Sequence, residues 1–300
     1  MGMLIWLFGK TPFLPLAGRA DMPVIPIHTF TPLPPSPTPD FTLSPQPTPT
    51  PEPTPTLTPT PEVTATPMGR QGIPFTIGYT AEERPLEVVR FGSGPSRRMI
   101  IAGIHGGYEV NTIFLADELI EHLQKNPSLV PPDVTLYILR LFNPDGAARG
   151  PWGRANANNV DLNRNWGINW QDYWDRSGCY PDTTITGGPY PHSENETQAL
   201  ASFLVTQEVE ALISYHSAAL GIFAGGAFAE SPSTSLAKTL AAVSGYPYPP
   251  IDSGCEYTGQ LVDWAAMIDI AAVDLELSNH TDTEFKTNLK VLEAFLNWKP

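Results

Sequence analysis

Four residues that could form a hydrolytic metal site are spread along this sequence. His105 and Glu109 follow one apolar run, His216 follows a second, and Glu276 lies within a third. Two imidazoles and one carboxylate can hold a zinc ion and leave its fourth position open to water. A further carboxylate, that of Glu276, can take the proton of this water. The set predicts one zinc ion per chain and hydrolysis of a peptide bond.

Alternating apolar and amphipathic segments are expected to position these residues. Strands are predicted at 99–104, 134–142, 211–215 and 271–277. Helices are predicted at 113–123, 193–205, 236–243, 258–268 and 283–298. Ser193 and Glu196 form a predicted capping box that opens the second of these helices. The alternation favours a three-layer α/β/α fold with a mixed, mostly parallel sheet, in which ligands bind beyond the carboxyl ends of strands.

Each signal has a plainer structural interpretation when it is taken alone. A histidine at a strand end is often a structural residue, and Glu109 could serve only as an acidic residue at a helix N-terminus. However, Gly106 and Gly107 allow a tight turn in which His105 and Glu109 can converge. Glu276 is harder to explain, because a carboxylate in an apolar strand is costly to bury unless a cation lies beside it. A zinc ion would be such a cation.

The segment 154–166 concentrates positive and amide groups. Its plainer interpretation is an irregular loop with a structural Arg-Asp pair. Yet Arg154, Asn163 and Arg164 lie between the strand that ends near residue 142 and the capped helix. Two guanidinium groups and an amide suit the capture of a carboxylate and the stabilisation of an oxyanion.

Seven short motifs occur in an order that resembles one known family. They are HGGYE at 105–109, NPDG at 143–146, VDLNRNW at 160–166, SENET at 193–197, YHS at 215–217, DW at 263–264 and LEL at 275–277. The set resembles the zinc carboxypeptidases of the carboxypeptidase A type, in the form of a compact bacterial-type member. The resemblance covers residues 75–300, and it implies the α/β fold and the zinc-dependent hydrolysis of that family.

The resemblance assigns three zinc ligands. They are His105, Glu109 and His216. The first motif of the family is usually HxxE, whereas three residues separate His105 from Glu109 in this sequence. We interpret the extra residue as a bulge in the glycine-rich turn, because Tyr108, at the usual position, cannot act as the acid.

The resemblance also assigns catalytic and substrate-binding roles. Glu276 corresponds to the catalytic glutamate, and Arg154 to the arginine that stabilises the oxyanion. Asn163 and Arg164 would bind the free terminal carboxylate of the substrate, which makes cleavage exo rather than endo. The substrate is therefore expected to be a peptide with a free C-terminal carboxylate.

Three further positions depend on a looser match. The glycine that commonly precedes VDLNR is Asn159 in this sequence, a residue that tolerates a left-handed backbone. Tyr257 is the nearest counterpart of the flexible active-site tyrosine, although its spacing to Asp263 is short. Val262 corresponds to the position that lines the specificity pocket, and an apolar residue there would not favour basic side chains.

Composition divides the chain near residue 70. Eighteen of the 34 prolines lie in residues 1–70. We expect an N-terminal segment at 1–30, which could be a degenerate signal or anchor, a disordered Pro/Thr-rich linker at 31–70, and a catalytic domain at 71–300. The formal net charge of −14 and the lack of a basic cluster argue against nucleic acid or an anionic membrane surface as partner.

The N-terminal region bears on localisation. The apolar run at 3–8 is shorter than the core of about 7 to 15 residues in a usual signal, and it is too short to span a bilayer. A Pro/Thr-rich linker is nevertheless typical of a secreted or surface-tethered protein, so we expect an extracytoplasmic location. Cys179 and Cys255 could form one disulfide or remain two thiols.

The sequence thus predicts a metallocarboxypeptidase that hydrolyses the C-terminal amide bond by means of a zinc-bound water activated by Glu276. One alternative is a peptidoglycan peptide hydrolase that acts on γ-D-glutamyl or diaminopimelyl linkages. A second is an inactive, surface-displayed peptide-binding module in which the lengthened first motif spoils metal coordination. A third is a small-molecule deacylase with related zinc chemistry.

Overall fold

The structure is a computed structural model that describes residues 71–173, 185–219, 221–226 and 230–300. The N-terminal segment and the linker predicted within residues 1–70 lie outside the described residues, as does Cys179. Cys255 is disulfide-bonded. None of the described helices has the length and apolar character that a bilayer crossing requires.

Seven strands of the described residues form one mixed sheet. They are β1 (Pro74–Tyr79), β2 (Pro85–Gly92), β3 (Ser96–Ile101), β4 (Val134–Leu139), β5 (Ala211–Ser217), β6 (Ile222–Ala224) and β7 (Ala271–Leu277). Their order in the sheet is β1-β2-β4-β3-β5-β7-β6. The central strands β4, β3, β5 and β7 are parallel, while β1, β2 and β6 pair antiparallel at the two sides.

Helices cover both faces of this sheet. They are α1 (Val110–Lys125), α2 (Pro144–Ala147), α3 (Asn195–Thr206), α4 (Pro232–Ser244), α5 (Leu261–Met267) and α6 (Phe285–Asn297). One apolar cluster joins α1, α4 and α6 to one face, and a second joins α3 and α5 to the other. Alternate residues of each strand enter different clusters, as the pleat requires. The predicted three-layer α/β/α fold is confirmed.

The alternation in β5 and β7 decides which face carries the polar residues. Leu212 and Ala272 belong to the α3/α5 cluster. With a period of two, Ser214 and His216 in β5, and Asp274 and Glu276 in β7, project toward that same layer. The polar side chains of the two strands are therefore brought together on one face, near the carboxyl ends.

Several predicted element bounds are wrong, for local reasons. The predicted strand 99–104 ends at Ile101, and Gly103 just beyond it has a φ of 61°, which is incompatible with an extended strand. The predicted helix 258–268 begins only at Leu261, because Gly259 pairs with two backbone groups of a neighbouring loop. Strands β1, β2 and β6 were not predicted.

The predicted capping box of Ser193 and Glu196 is also wrong. Helix α3 has Glu194 at its N-cap, with no side-chain capping bond. The Ser193 hydroxyl instead donates to Glu194 Oε1 at 2.6 Å. Glu194 Oε2 accepts from the side-chain amides of Asn156 and Asn158, so this turn anchors the loop that carries Arg154 rather than capping its own helix.

Candidate active site

The candidate site lies at the carboxyl ends of three parallel strands. His105 follows β3, His216 lies in β5 and Glu276 lies in β7. His216 and Glu276 are direct partners in the β5–β7 pairing. Ligand sites occupy this edge in open α/β sheets, so the topology places three of the predicted residues where chemistry is expected.

His105, Glu109 and His216 converge on one point. Nδ1 of His105 lies 2.9 Å from Glu109 Oε1, and Nδ1 of His216 lies 3.2 Å from Glu109 Oε2. One ligand atom from each residue falls within 4.8 Å of the other two, and all three residues are buried. The two imidazoles thus face opposite oxygens of a single carboxylate.

The lengthened first motif does not separate Glu109 from the histidines. Residues Gly107–Glu109 form a single turn of 3-10 helix, and Gly107 has a φ of 68°. A Cβ at Gly107 would lie 2.8 Å from the carbonyl oxygen of Pro151, so only glycine fits there. The turn exposes Tyr108, which is 60% accessible, and directs Glu109 inward. The extra residue is accommodated as a bulge.

Both imidazoles are held by their distal nitrogens. Nε2 of His105 lies 2.8 Å from Asp161 Oδ1, and Nε2 of His216 lies 3.2 Å from Ser214 Oγ. Because Nε2 is engaged in each ring, Nδ1 is the nitrogen available to a cation. Two imidazole nitrogens and a carboxylate oxygen, with one ring fixed by a second carboxylate, form a donor set that suits zinc.

The electrostatics favour an ionised carboxylate at Glu109. Burial by itself would raise the pKa of Glu109, but the neighbouring His105 and His216 outweigh it and hold the pKa well below its usual range. Burial opposes ionisation of Asp161 in the same way, and there Arg154 and His105 prevail, so the pKa of Asp161 is also low. Both carboxylates are therefore ready to act as acceptors without losing a proton first.

Glu276 lines one cavity together with His105, Glu109 and His216. Its pKa is shifted in the opposite direction from that of Glu109. Glu276 is buried, and its Oε2 accepts a hydrogen bond of 2.9 Å from the backbone N–H of Ala219. Burial is the main reason that the pKa of Glu276 is raised to about 7, and the negative charge of Glu109 adds to the effect. A carboxyl group with a pKa near neutrality is suited to accept a proton and then return it.

Arg154 lies between two of the carboxylates. Its Nη1 donates to Glu109 Oε1 and its Nε to Asp161 Oδ2, each at 3.0 Å. The side chain remains partly exposed and lines the cavity. A guanidinium held beside the three convergent residues can stabilise negative charge that develops on a substrate oxygen.

The cavity also contains the residues predicted to bind a terminal carboxylate. The backbone N–H of Leu261 donates to Asn163 Oδ1 at 2.9 Å, which turns the amide N–H₂ of Asn163 into the cavity. The Arg164 guanidinium lies 5.4 Å from the centre of the Tyr257 ring, and both residues line the cavity. Val262 does not: it is 1% exposed and packs in the α3/α5 cluster.

Other residues of the site were not assigned by the sequence. Asp161 orients His105, and Ser214 orients His216. Asp274, Gln260 and Phe223 line the cavity. The signal for Asp274 was its position two residues before Glu276 in an otherwise apolar strand, since such residues share one face. Ser214 stands in the same relation to His216. No comparable local signal marked Gln260 or Phe223, which reach the cavity only through the tertiary fold.

Comparison with known sequences finds a matching family model and two kinds of relative, a murein peptide amidase and carboxypeptidases. A family model described as zinc carboxypeptidase matches residues 74–294. Murein peptide amidase A of Escherichia coli (strain K12) is 30% identical in an alignment 211 residues long, and the alignment covers 67% of this chain and 80% of that protein. Carboxypeptidase A6 of Mus musculus is 28% identical in an alignment 165 residues long, and the alignment covers 47% of this chain and 37% of that protein.

Solved structures show the same architecture. The crystal structure of a murein-tripeptide amidase from Escherichia coli O157 aligns with a TM-score of 0.58 at 24% identity, over 76% of this chain and 92% of that one. Carboxypeptidase A from Helicoverpa armigera aligns with a TM-score of 0.58 at 19% identity, over 74% of this chain and 66% of that one. At these identities the likeness establishes the fold.

Proposed function

The chain belongs to the zinc carboxypeptidase family and is a metallocarboxypeptidase, and from that premise we propose that it removes the C-terminal residue of a peptide by hydrolysing the last amide bond. The observation that carries the proposal is the convergence of His105, Glu109 and His216 within 4.8 Å, in a cavity that Glu276 also lines. We propose that these three residues hold one zinc ion per chain.

Each of the residues around the cavity has its own role in the proposed reaction. When bound, zinc supplies a Lewis acid that polarises the scissile carbonyl and lowers the pKa of water. Glu276 accepts the proton of the attacking water and delivers it to the leaving amine. Arg154, held by Glu109 and Asp161, stabilises the negative charge that develops on the carbonyl oxygen.

The shape and charge of the cavity support exo cleavage. Arg164 and Asn163 present a guanidinium and an amide to a terminal carboxylate. The cavity holds about 190 Å³, below the roughly 300 to 1,000 Å³ typical of pockets that enclose a whole small ligand. A volume of this size suits one terminal residue, with Tyr257 as a wall above it.

A second candidate substrate class is the peptide of bacterial cell-wall murein. The observation that favours it is the similarity to murein peptide amidase A, which extends over 80% of that protein. In this case the bond cleaved would be the amide between γ-D-glutamate and diaminopimelate. The same residues would serve the same roles, because the leaving residue again carries a free carboxylate.

We also propose an extracytoplasmic location. The Pro/Thr-rich composition of residues 31–67 suits a stalk, and the disulfide at Cys255 suits an oxidising compartment. Fractionation of cells that produce the full chain tests this. Recovery of the protein in the medium or on the surface is expected, and recovery in the cytosol with reduced Cys255 would contradict the proposal.

Product analysis tests the proposed reaction. The full chain, purified with zinc, is incubated with blocked peptides that end either in a free carboxylate or in an amide. We expect mass spectrometry to show release of one residue from the free-carboxylate peptides alone. Release from the amidated peptides at an equal rate, or cleavage at internal bonds, would contradict an exopeptidase.

A further inference from the structure

Exposed aromatic side chains lie beside the residues of the candidate site. Tyr108 is 60% accessible and Trp152 is 83% accessible, and the proposed reaction uses neither ring. Tyr108 directly precedes Glu109, and Trp152 lies two residues before Arg154. Large apolar side chains that are exposed close together mark a surface that binds a partner. Because these two flank the reaction cavity, the substrate is the partner that their position favours.

The turns that carry Tyr108 and Trp152 lie against each other. The backbone N–H of Gly106 donates to the carbonyl oxygen of Gly153 at 3.1 Å. A Cβ at Gly106 would lie 2.7 Å from that same oxygen, so the two backbones approach as closely as glycine allows. The two exposed rings therefore project from neighbouring turns.

His280 is held next to Tyr108 by a chain of hydrogen bonds. The amide N–H₂ of Asn111 donates to two backbone carbonyl oxygens of the loop 279–282, so its Oδ1 accepts from the Ser217 hydroxyl, at 2.9 Å. Since that bond uses the hydroxyl proton, Nδ1 of His280 donates to Ser217 Oγ, at 3.0 Å. The exposed ring of His280 lies 6.2 Å from the ring of Tyr108, centre to centre. Ser217 lines the cavity, and it thus joins this pair of rings to the cavity wall.

These rings and the groups that would bind the terminal carboxylate lie at opposite ends of the site. The Nε2 edge of His216 faces Asn163, whose Nδ2 lies 3.4 Å away. The Nδ1 edge faces Glu109 Oε2, which also accepts from the backbone N–H of Ser217, at 3.3 Å. A substrate whose carboxylate is held by Asn163 and Arg164 therefore crosses the candidate metal ligands and continues past Ser217.

We propose that Tyr108, Trp152 and His280 form a subsite for the residue on the amino side of the scissile bond, and that this subsite selects an aromatic side chain. The inference rests on the proposed exopeptidase function. The cavity of about 190 Å³ suits one terminal residue, so the preceding residue lies over the rim where the rings stand. Tyrosine and tryptophan offer uncharged ring faces and edges, which favour another ring in an offset or edge-to-face arrangement.

Matched peptides isolate the contribution of the ring. Blocked dipeptides share one C-terminal residue, and the residue before it is phenylalanine, cyclohexylalanine or alanine. Cyclohexylalanine has nearly the size of phenylalanine but no aromatic face. We expect kcat/KM to be about 10-fold higher for phenylalanine than for alanine, because the ring buries apolar area that a methyl group lacks. The advantage over cyclohexylalanine should be about 3-fold.

Variants of the two exposed residues locate the subsite. Tyr108→Ala and Trp152→Ala should each lower the phenylalanine-to-alanine ratio of kcat/KM, and the double variant should bring it close to one. Tyr108→Phe keeps the ring and should keep the ratio. Tyr79→Ala is the matched control, because Tyr79 is 59% accessible and lies in β1, at the edge of the sheet away from the site. It should show the wild-type ratio.

The wild-type enzyme separates failure of the inference from failure of the proposed function. Equal kcat/KM for phenylalanine and alanine would overturn the inference and leave the exopeptidase function intact. Equal values for phenylalanine and cyclohexylalanine would overturn the selection of an aromatic ring. Cleavage of a γ-D-glutamyl peptide but of none of the three dipeptides would overturn the inference in favour of wall peptides. Release of no terminal residue from any peptide would overturn the proposed function itself.

Zinc content and melting temperature, measured on each variant, distinguish a subsite from a structural role. A subsite residue affects the ratio between substrates while the zinc content stays at the wild-type level. Loss of zinc from Tyr108→Ala, with an equal fall in rate on all peptides, would overturn the inference and would make Tyr108 a support of the turn that carries Glu109.

Discussion

Asp161 Oδ1 lies 2.8 Å from Nε2 of His105, and both residues are almost fully buried. The carboxylate fixes the orientation of the ring, so that Nδ1 faces Glu109 and His216. Asp161 also accepts from Arg154, and therefore it joins the candidate metal ligands to the group that would stabilise the oxyanion. The buried pair connects binding of the metal with the chemistry of the site.

Removal of the charge of Asp161 should weaken zinc binding. Substitutions of a carboxylate that orients a histidine ligand typically cost about 10- to 100-fold in metal affinity. We expect a loss of this size in Asp161→Asn, measured by competition with a chromophoric chelator. Asp269→Asn, at an exposed turn, serves as the control. An unchanged affinity in Asp161→Asn would mean that the pair does not support the site.

Glu276→Gln should retain zinc and lose most turnover. The amide cannot accept the proton of the attacking water, and general base catalysis typically contributes about 10²- to 10⁴-fold. The measurement is kcat together with zinc content, and the exposed Glu121→Gln is the control. A wild-type kcat in Glu276→Gln would show that another group acts as the base.

The pH dependence of the reaction should follow the ionisation of Glu276. Burial raises the pKa of Glu276 to about 7, so the carboxyl group is protonated below that pH and cannot accept a proton. We expect kcat/KM to rise as the pH increases through about 7 and then to level off. A profile that is already flat from pH 5 upward would contradict this assignment of the base.

Arg164→Ala should raise KM for peptides with a free C-terminal carboxylate. The loss of a charged hydrogen-bonding partner corresponds to about 10- to 100-fold. Peptides that end in an amide should show no such change, and Arg164→Lys should be intermediate because it keeps the charge but loses the planar fork. Equal effects on both substrate classes would indicate that Arg164 serves folding rather than binding.

Glu196 offers a test of stability that is independent of activity. It is fully buried in α3, and burial raises its pKa to about 7. In the unfolded chain the group ionises near pH 4.5, whereas the folded chain keeps the proton up to about pH 7. Stability from Glu196 is therefore present below pH 4.5 and is lost as the pH rises through 7, by an amount on the order of 3 kcal/mol.

Glu196→Gln removes this ionisation. Urea unfolding at pH 5 and pH 8 should show a smaller loss of stability with pH in the variant than in the wild type. The exposed Glu208→Gln should leave the wild-type dependence unchanged. An identical pH dependence in Glu196→Gln and the wild type would show that Glu196 is ionised in the folded state at both pH values.

The sequence predicted the parts of the fold that have a strong local pattern. Strands β5 and β7 are largely apolar, and α6 has a clear apolar face, so their positions were predicted within a few residues. Strands β1 and β2 form an antiparallel side of the sheet with mixed composition, and β6 has only three residues. Such strands are stabilised by pairing within the sheet rather than by their own sequence.

The candidate site likewise combines residues that could be predicted from the sequence with residues that could not. His105, Glu109, His216 and Glu276 could be chosen by residue type and by their place at strand ends, and the structure brings them together. Val262 could not be judged in this way, because the face that a short helix turns toward a cavity depends on tertiary packing. Its side chain enters the apolar layer instead.

Metal analysis of the purified full chain tests the assignment of the metal site. We expect about one zinc per chain in the wild type after growth with zinc. We expect the His216→Ala variant to contain no zinc and to release no terminal residue while remaining folded. A wild-type chain that contains no zinc, or a His216→Ala variant that keeps both its zinc and its activity, would contradict the assignment of His105, Glu109 and His216 as the metal site.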